Sequence, residues 1–424
     1  MARKMKDSGI EWIGEIPEGW ETCLYKYCCS VQPGYPFDSA KFSNSSTDGF
    51  PLIRIRDITS GEIQTYYTDS YDSNYIITAG DLLVGMDGDF NVRWWNNSDA
   101  LLNQRCCRII EKKRVTRRFL YYVLPFTLQY INTLTYATTV KHLANSDILN
   151  FFISFPSLSV QKNITCYLDK NCSNIDTILS KTRSSIEEYK KLKQAVITQA
   201  VTKGVRGERE MKDSGVEWIG EIPKEFNPVQ LKFFCKLITD GTHFSPTTVE
   251  NGWPYITAGD VHGIGLDYNS AKRISEEDFQ LLVAQGCQPL KGDVLLVKDG
   301  ATTGRVGFVD SDTPCVILSS VAMLRPADNT DGHYLMYLLA SDFLQKQILV
   351  SMAGSAMPRT TLTKLTKYIG LLPPLHEQKE IANYLDAKCA EIDGLIAKKE
   401  QLVKELESYK KSLIYEVVTG KREV

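Results

Sequence analysis

Two stretches of the chain place apolar residues at alternating three- and four-residue steps for much longer than an ordinary globular helix. From Leu158 to Thr202 and from Leu375 to Thr419 there is no proline, and the only glycine is Gly394. Each stretch predicts an unbroken helix, on the order of 65 Å at about 1.5 Å per residue. The expected seam runs through Leu168, Ile175, Ile178, Tyr189, Leu192 and Val196 in the first stretch. In the second it runs through Leu385, Ile392, Leu395, Leu402, Leu406, Tyr409 and Leu413. Both seams are interrupted at the same level, by Thr182 in one and Lys399 in the other. Two such helices separated by a compact domain most simply pair as an antiparallel coiled coil. Separate packing of each on its own domain is the alternative, because an apolar stripe serves either arrangement.

The segments between follow another pattern. Short runs rich in β-branched and aromatic residues ("FPLIRIRDI", "DLLVGM", "CCRII", "DVLLVK", "GRVGFV", "CVILSSVAML") alternate with turn signals and predict strands. "RRFLYYVLPFTLQYINTL" and "HYLMYLLASDFLQKQIL" have helical spacing and are apolar enough to be core. The fold class is therefore α+β. Two α+β domains, residues 1–157 and 208–374, alternate with two long helices, residues 158–207 and 375–424, in a pseudo-two-fold internal repeat.

Identity between the halves supports that organisation. "MKDSGIEWIGEIP" (5–17) returns as "MKDSGVEWIGEIP" (211–223), with Ile10 exchanged for Val216. "LSVQKNITCYLDKNCSNID" (158–176) matches "LHEQKEIANYLDAKCAEID" (375–393) at ten of nineteen positions without a gap. Residues 18–157 and 224–374 share only coarse features, such as "AGDLLVG" against "KGDVLLV". Related folds carrying different surfaces would give this pattern. In the repeated head peptide, Trp12 with Ile13, and Trp218 with Ile219, are expected to pin a short extended segment against apolar surface beside the end of a long helix. The junction "VTKGVRGERE" after the first helix resembles the final "VVTGKREV".

Composition narrows the class. At 43% hydrophobic and 24% charged residues the chain is globular, with material for two or three domains. No apolar run approaches a membrane span and "MARKMKDSG" lacks the apolar core of a signal peptide, so a cytoplasmic location is expected. Eleven cysteines include no C-x-x-C, and reduced, mostly buried thiols are expected.

Catalytic patterns are missing. "GATTGR" (300–305) lacks a spacer residue and the lysine of a phosphate loop. His376-Glu377 has no second histidine one turn on, which rules out a zinc site of that type. The carboxylates of "DGD" (87–89) read as turn residues. There is no glycine-rich cofactor fingerprint and no amino-methylation motif. Binding is favoured over catalysis.

The ordered set "WIGEIPEGW", "GDLLV", "GDVLLV" and "PPLHEQKEIANYLD", much of it in duplicate, resembles the specificity subunit of type I restriction-modification enzymes. The resemblance implies two target-recognition domains, each reading one half of a split double-stranded DNA site, held apart by a coiled coil. It implies a non-catalytic chain with no cofactor or metal of its own. Its partners would be two methyltransferase subunits and restriction (translocase-endonuclease) subunits, which would bring the S-adenosylmethionine, ATP and magnesium chemistry. A recognition module of another restriction system, or a coiled-coil adaptor that binds proteins, are the alternatives.

Three loop types face DNA in that family. The first follows an early strand, at 32–42 and 239–248, with Tyr35, Lys41, Thr242 and His243 as candidates. The second follows the G-D strand, at 87–97 and 298–307, with Arg93, Asn96, Lys298, Thr302 and Arg305 offering donors for guanine, adenine or phosphate. The third precedes the last strand, at 138–147 and 355–364, with Lys141, His142, Arg359 and Thr360. Trp94 and Trp95 are expected to pack rather than stack on bases. Two features complicate the picture. Basic against acidic residues number 16 to 17 over 1–157, 9 to 4 over 158–207, 15 to 20 over 208–374 and 9 to 10 beyond, so DNA binding without partners should be weak. Second, the family's Pro-Leu-x-Glu-Gln opening stands at 374–378, but the first copy reads Ser157-Leu158-Ser159-Val160-Gln161. If Glu377 caps its helix or meets a partner, the first copy is altered.

Overall fold

A computed structural model describes residues 3–134, 142–217, 219–352 and 358–424. The chain divides into two compact units, the first made of Met1–Thr182 with Leu402–Val424 and the second of Arg183–Gln401. Both long helices form, over Leu158–Lys203 and Leu375–Val418.

In the first unit the head peptide is a hairpin, Met5–Asp7 against Glu15–Pro17 with Lys6 opposite Ile16. Behind it lies an antiparallel sheet in the order Val92–Trp94, Leu82–Gly85, Cys106–Glu111, Cys29–Pro33. A second sheet holds a parallel pair, Phe50–Ile53 beside Ala100–Leu102. The helix Arg117–Leu134 continues through Pro125, and its apolar face joins the core with Phe119, Leu120, Val123 and Leu128. Glu21–Leu24 pairs with Phe152–Phe155, so the strand that leads into the long helix is tied to the start of the unit.

The second unit repeats this plan. Its hairpin is Met211–Asp213 against Glu221–Pro223, with Lys212 opposite Ile222. Its antiparallel sheet has the order Val306–Phe308, Val294–Val297, Val321–Pro326, Cys235–Asp240. Trp253–Ile256 runs parallel to Val316–Ile317, and Asn227–Gln230 pairs with Ile369–Leu372. The expected single helix breaks in two, Gly332–Ala340 and Asp342–Ser351, at the fully buried Ser341, whose backbone is extended.

Two strand expectations need correction. "FPLIRIRDI" is a strand only to Ile53, because the Asp57 carboxylate accepts the Arg54 amide and starts the helix Ile55–Ser60. "CVILSSVAML" is two strands separated by Leu318, Ser319 and Ser320.

The seams differ in phase from the expected ones. Ile178 and Leu192 are 46% and 48% exposed, and Leu402 and Tyr409 are 40% and 50% exposed. The buried line of the first helix passes instead through Leu168, Cys172, Ile175, Leu179 and Thr182 in the first unit, and from Ile186 to Ile197 and Ala200 in the second. Spacing is three or four from Leu168 to Ile186, so Thr182 lies on the line and does not interrupt it, while only half-buried residues such as Tyr189 and Lys193 carry it on to Ile197. In the second unit Lys193 pairs with Asp393, Arg206 with Glu380, and Lys399 sits over the Tyr189 ring. Numbers rise along one helix as they fall along the other, which makes the two segments antiparallel there. In the first unit Lys410 pairs with Asp176, and Ile164, Leu168, Leu413 and Val417 share one core.

The head peptides pack where expected. In the first unit Trp12 stacks on Phe126, its carbonyl accepts the Tyr415 hydroxyl, and a Cβ on Gly420 would crowd Pro17. In the second unit the Lys203 ammonium donates to the Glu221 carbonyl, and Ile222 shares a core with Val201. Trp218 lies outside the described residues. Gly204 and Gly420 both close their helices at a φ of 73°, which a side chain would strain.

Candidate nucleic-acid interface

The G-D motif that both halves share is structural. Asp81 and Asp293 are buried, and their carboxylates accept the backbone amides of Thr78 at 2.9 Å and Leu290 at 2.7 Å. Each closes the turn before a core strand and also meets an arginine, Arg108 and Arg117 in one case and Arg325 in the other. That strand delivers the second loop to one end of the sheet.

At that end the loops converge, and the same backbone joints recur in both units. Tyr35 bridges Asn103 in the first unit as Thr242 bridges Leu318 in the second, each with parallel pairing. Asp87 bridges His142 as Asp299 bridges Arg359, both antiparallel. Close approach explains the glycines before the first joints: a Cβ on Gly34 would overlap the Asn103 carbonyl, and one on Gly241 the Ile317 carbonyl. Further bonds tie the loops together. The Met86 amide donates to Arg105 at 2.9 Å and that of Leu143 to Met86 at 2.7 Å; the Thr360 amide donates to Lys298 at 2.9 Å.

Side chains at these joints fall into two groups. Tyr35 is 45% exposed and packs edge-on against Phe37. Asn96, His243 and Arg305 are exposed, Thr302 is half-buried, and Lys41 is half-exposed beside Asp69 at 3.8 Å. His142 and Arg359 project from the third loop, paired to Asp87 at 2.7 Å and Asp299 at 2.9 Å. Lys141 lies outside the described residues.

Others on the expected set turn inward. Lys298 is 2% exposed and its ammonium sits 2.8 Å from Asp299 and 3.3 Å from Asp240, so its charge is spent inside the loop cluster. Thr360 is fully buried, 2.6 Å from the Tyr368 hydroxyl. Thr242 is buried and its hydroxyl accepts the Phe244 amide. Arg93 donates to the carbonyls of Ile58 and Thr59, capping the helix Ile55–Ser60. These four are engaged in internal bonds that hold the loops. Trp95 is 1% exposed, and Arg118 covers the Trp94 ring at 4.5 Å, so both tryptophans pack as expected.

One loop escapes a reading of the sequence alone: the turn between the parallel strand and the next strand of the main sheet, residues 103–105 and 318–320. It presents Gln104 and the 56% exposed Arg105 in the first unit, and the half-buried Ser319 in the second, where the Ser320 hydroxyl is buried. The available signal was the polar trio "NQR" inside the apolar run "LLNQRCCRII". Among the described residues no three His, Cys, Asp or Glu side chains gather as a metal site requires, and no helix is long and apolar enough to cross a membrane.

Two units of one topology, each gathering loops of different sequence at the same end of the main sheet, define a duplicated recognition scaffold. The chain matches the model for the type I restriction modification DNA specificity domain over residues 17–188 and again over 223–405, and it belongs to that family. It is 28% identical over 404 residues to the EcoBI specificity subunit of Escherichia coli, covering 93% of this chain and 84% of that one. It is 25% identical over 423 residues to the MjaVIII specificity subunit of Methanocaldococcus jannaschii, covering 96% and 93%. A solved chain from work on "complex assembly and conformational transition of the type I R-M system" superposes with a TM-score of 0.71. It shares 18% identity, with 96% of this chain and 99% of that one covered, a likeness of fold.

Proposed function

We propose that each unit reads one part of a two-part, asymmetric duplex DNA site through its clustered loops, while the paired long helices fix the distance and rotation between the readers. The observation that carries this reading is the pair of recurring joints, Tyr35 with Asn103 against Thr242 with Leu318, and Asp87 with His142 against Asp299 with Arg359. The same frame with different side chains is what two readers of different sequences need. A rigid spacer is also required, because separated bases are read together only at a fixed spacing.

On this reading the chain contributes no catalysis. Methyl transfer and cleavage, with S-adenosylmethionine, ATP and magnesium, belong to two methyltransferase subunits and to restriction subunits that dock on it. The excess of acidic residues in the second recognition domain, 15 basic against 20 acidic over 208–374, supports a dependence on those partners for phosphate contacts. The test is co-purification with methyltransferase subunits followed by sequencing of methylated adenines in a duplex library. A bipartite motif is expected, and exchange of residues 18–157 for those of a relative should change one part only. Absence of any motif, or nanomolar specific binding by the isolated chain at physiological salt, would count against it.

A further inference from the structure

Asp87 and Asp299 occupy the same place in the two units. Each follows the core strand that leads into the second loop, and each precedes a glycine in the left-handed region, Gly88 at a φ of 75° and Gly300 at 97°. Each forms the antiparallel joint to the third loop. Within loops that otherwise differ, the carboxylate is retained. Its partners are not: Asp87 holds His142 at 2.7 Å and Arg105 at 3.4 Å, whereas Asp299 holds Arg359 at 2.9 Å and the buried Lys298 at 2.8 Å.

Asp299 also serves the buried Lys298 ammonium, which has Asp240 as a second counter-ion at 3.3 Å, but stability alone does not account for the exposed members of this arrangement. His142, Arg105 and Arg359 have side chains 50%, 56% and 59% exposed, and ion pairs of that kind contribute about 0–1 kcal/mol. A carboxylate at a surface that meets phosphates is unfavourable unless it serves the cation beside it. Long cationic side chains lose rotamer freedom when they bind, and a fixed carboxylate removes part of that loss beforehand.

We propose that Asp87 and Asp299 are positioning residues for base reading, each aiming exposed side chains of its own unit, Arg105 and His142 in the first and Arg359 in the second, at one part of the DNA site. The proposal rests on the two-part reading above. In it the aspartate is a common mount, and specificity changes with the side chain that is mounted.

The test uses the full chain in complex with its methyltransferase subunits and reads base preference at every position of the methylated motif. Asp87→Asn is expected to relax preference in one part of the motif by about tenfold, the size of one lost side chain–base contact, and Asp299→Asn to do the same in the other part only. Asp299→Glu should restore much of that loss. Arg359→Ala should relax the same positions as Asp299→Asn, and the two together no more than either alone. Melting temperatures are measured in parallel. Loss spread over both parts of the motif with a lowered melting temperature would show a structural role and overturn the proposal, as would unchanged motifs. A wild-type complex that yields no two-part motif overturns the underlying reading and the proposal with it.

Discussion

The ammonium of Lys193 stands 2.6 Å from the Asp393 carboxylate, on a buried line that is otherwise mostly apolar, and its side chain is 20% exposed. The corresponding residues of the repeat, Lys410 and Asp176, make the same contact in the first unit. A cation in an apolar seam adds little stability but restricts register, because a shifted pairing would bury it without its carboxylate. Lys193→Leu should therefore raise the stability of the full chain in urea by about 1 kcal/mol, while Lys193→Glu, facing Asp393, should lower it by a similar amount.

Gln161 and Gln378 are both fully buried and make the same three bonds. Gln161 accepts the Thr116 amide at 2.8 Å and donates to the carbonyls of Arg114 and Pro156; Gln378 accepts the Asp331 amide at 2.9 Å and donates to those of Asn329 and Pro373. Replacing either with alanine strands buried backbone groups on two segments. A loss of about 2–3 kcal/mol is expected for each in denaturant titrations, with Gln→Glu no better because it cannot supply both donors.

Glu377 answers the question left by the altered opening of the first helix. Its carboxylate, 2% exposed, pairs with Arg209 at 2.5 Å, so it locks the junction peptide to the second long helix. Val160 stands at that position in the first copy and offers no carboxylate. Glu377→Ala should cost about 2–3 kcal/mol, because the mostly buried Arg209 guanidinium loses its main counter-ion and keeps only the Lys203 carbonyl and the distant Glu225. A double replacement, Glu377→Met with Arg209→Met, should cost clearly less, and a double-mutant cycle in guanidinium chloride measures the difference.

Alkali should weaken the fold. Burial pushes the thiols of Cys29, Cys106, Cys235 and Cys315 up to about 12 from an ordinary value of 9.0. Between those values the unfolded chain gives up protons that the folded chain keeps. The stability they contribute is therefore whole below about pH 9 and falls as pH rises toward 12. Melting temperatures taken from pH 8 to pH 11 should decline, and Cys315→Ala should flatten the decline. At pH 8 an alkylating reagent should label the exposed Cys166 well ahead of the buried thiols, as peptide mass spectrometry would show.

Much of the architecture was legible in the sequence, because it is written in period and repetition. Three-four spacing over stretches free of proline gave the long helices, and near-identity placed the head peptides beside helix ends as short extended segments, which the structure folds into hairpins. The phase of the seam was not, since Ile178, Leu192, Leu402 and Tyr409 form a second apolar stripe beside the true one, and polar Thr182 and Lys193 occupy the buried line. Which stripe is covered depends on what packs there. The same limit applies to the interface. Loops could be located from the strands around them, but the inward turn of Lys298 and Thr360 depends on Asp240 and Tyr368, far away in sequence. Arg105 was overlooked because it is embedded in an apolar run.

In each unit the parallel pair, Phe50–Ile53 with Ala100–Leu102 and Trp253–Ile256 with Val316–Ile317, has a consequence for descent. Parallel neighbours cannot be joined by a tight turn, so the chain must make a long excursion between them, over 54–99 in one unit and 257–315 in the other. The excursion departs from and returns to adjacent strands whatever its length. Each excursion also carries two strands of the main sheet, Leu82–Gly85 with Val92–Trp94 and Val294–Val297 with Val306–Phe308, so it is the stretch before them, 54–81 or 257–293, that can lengthen in a lineage while the register of that sheet stays fixed.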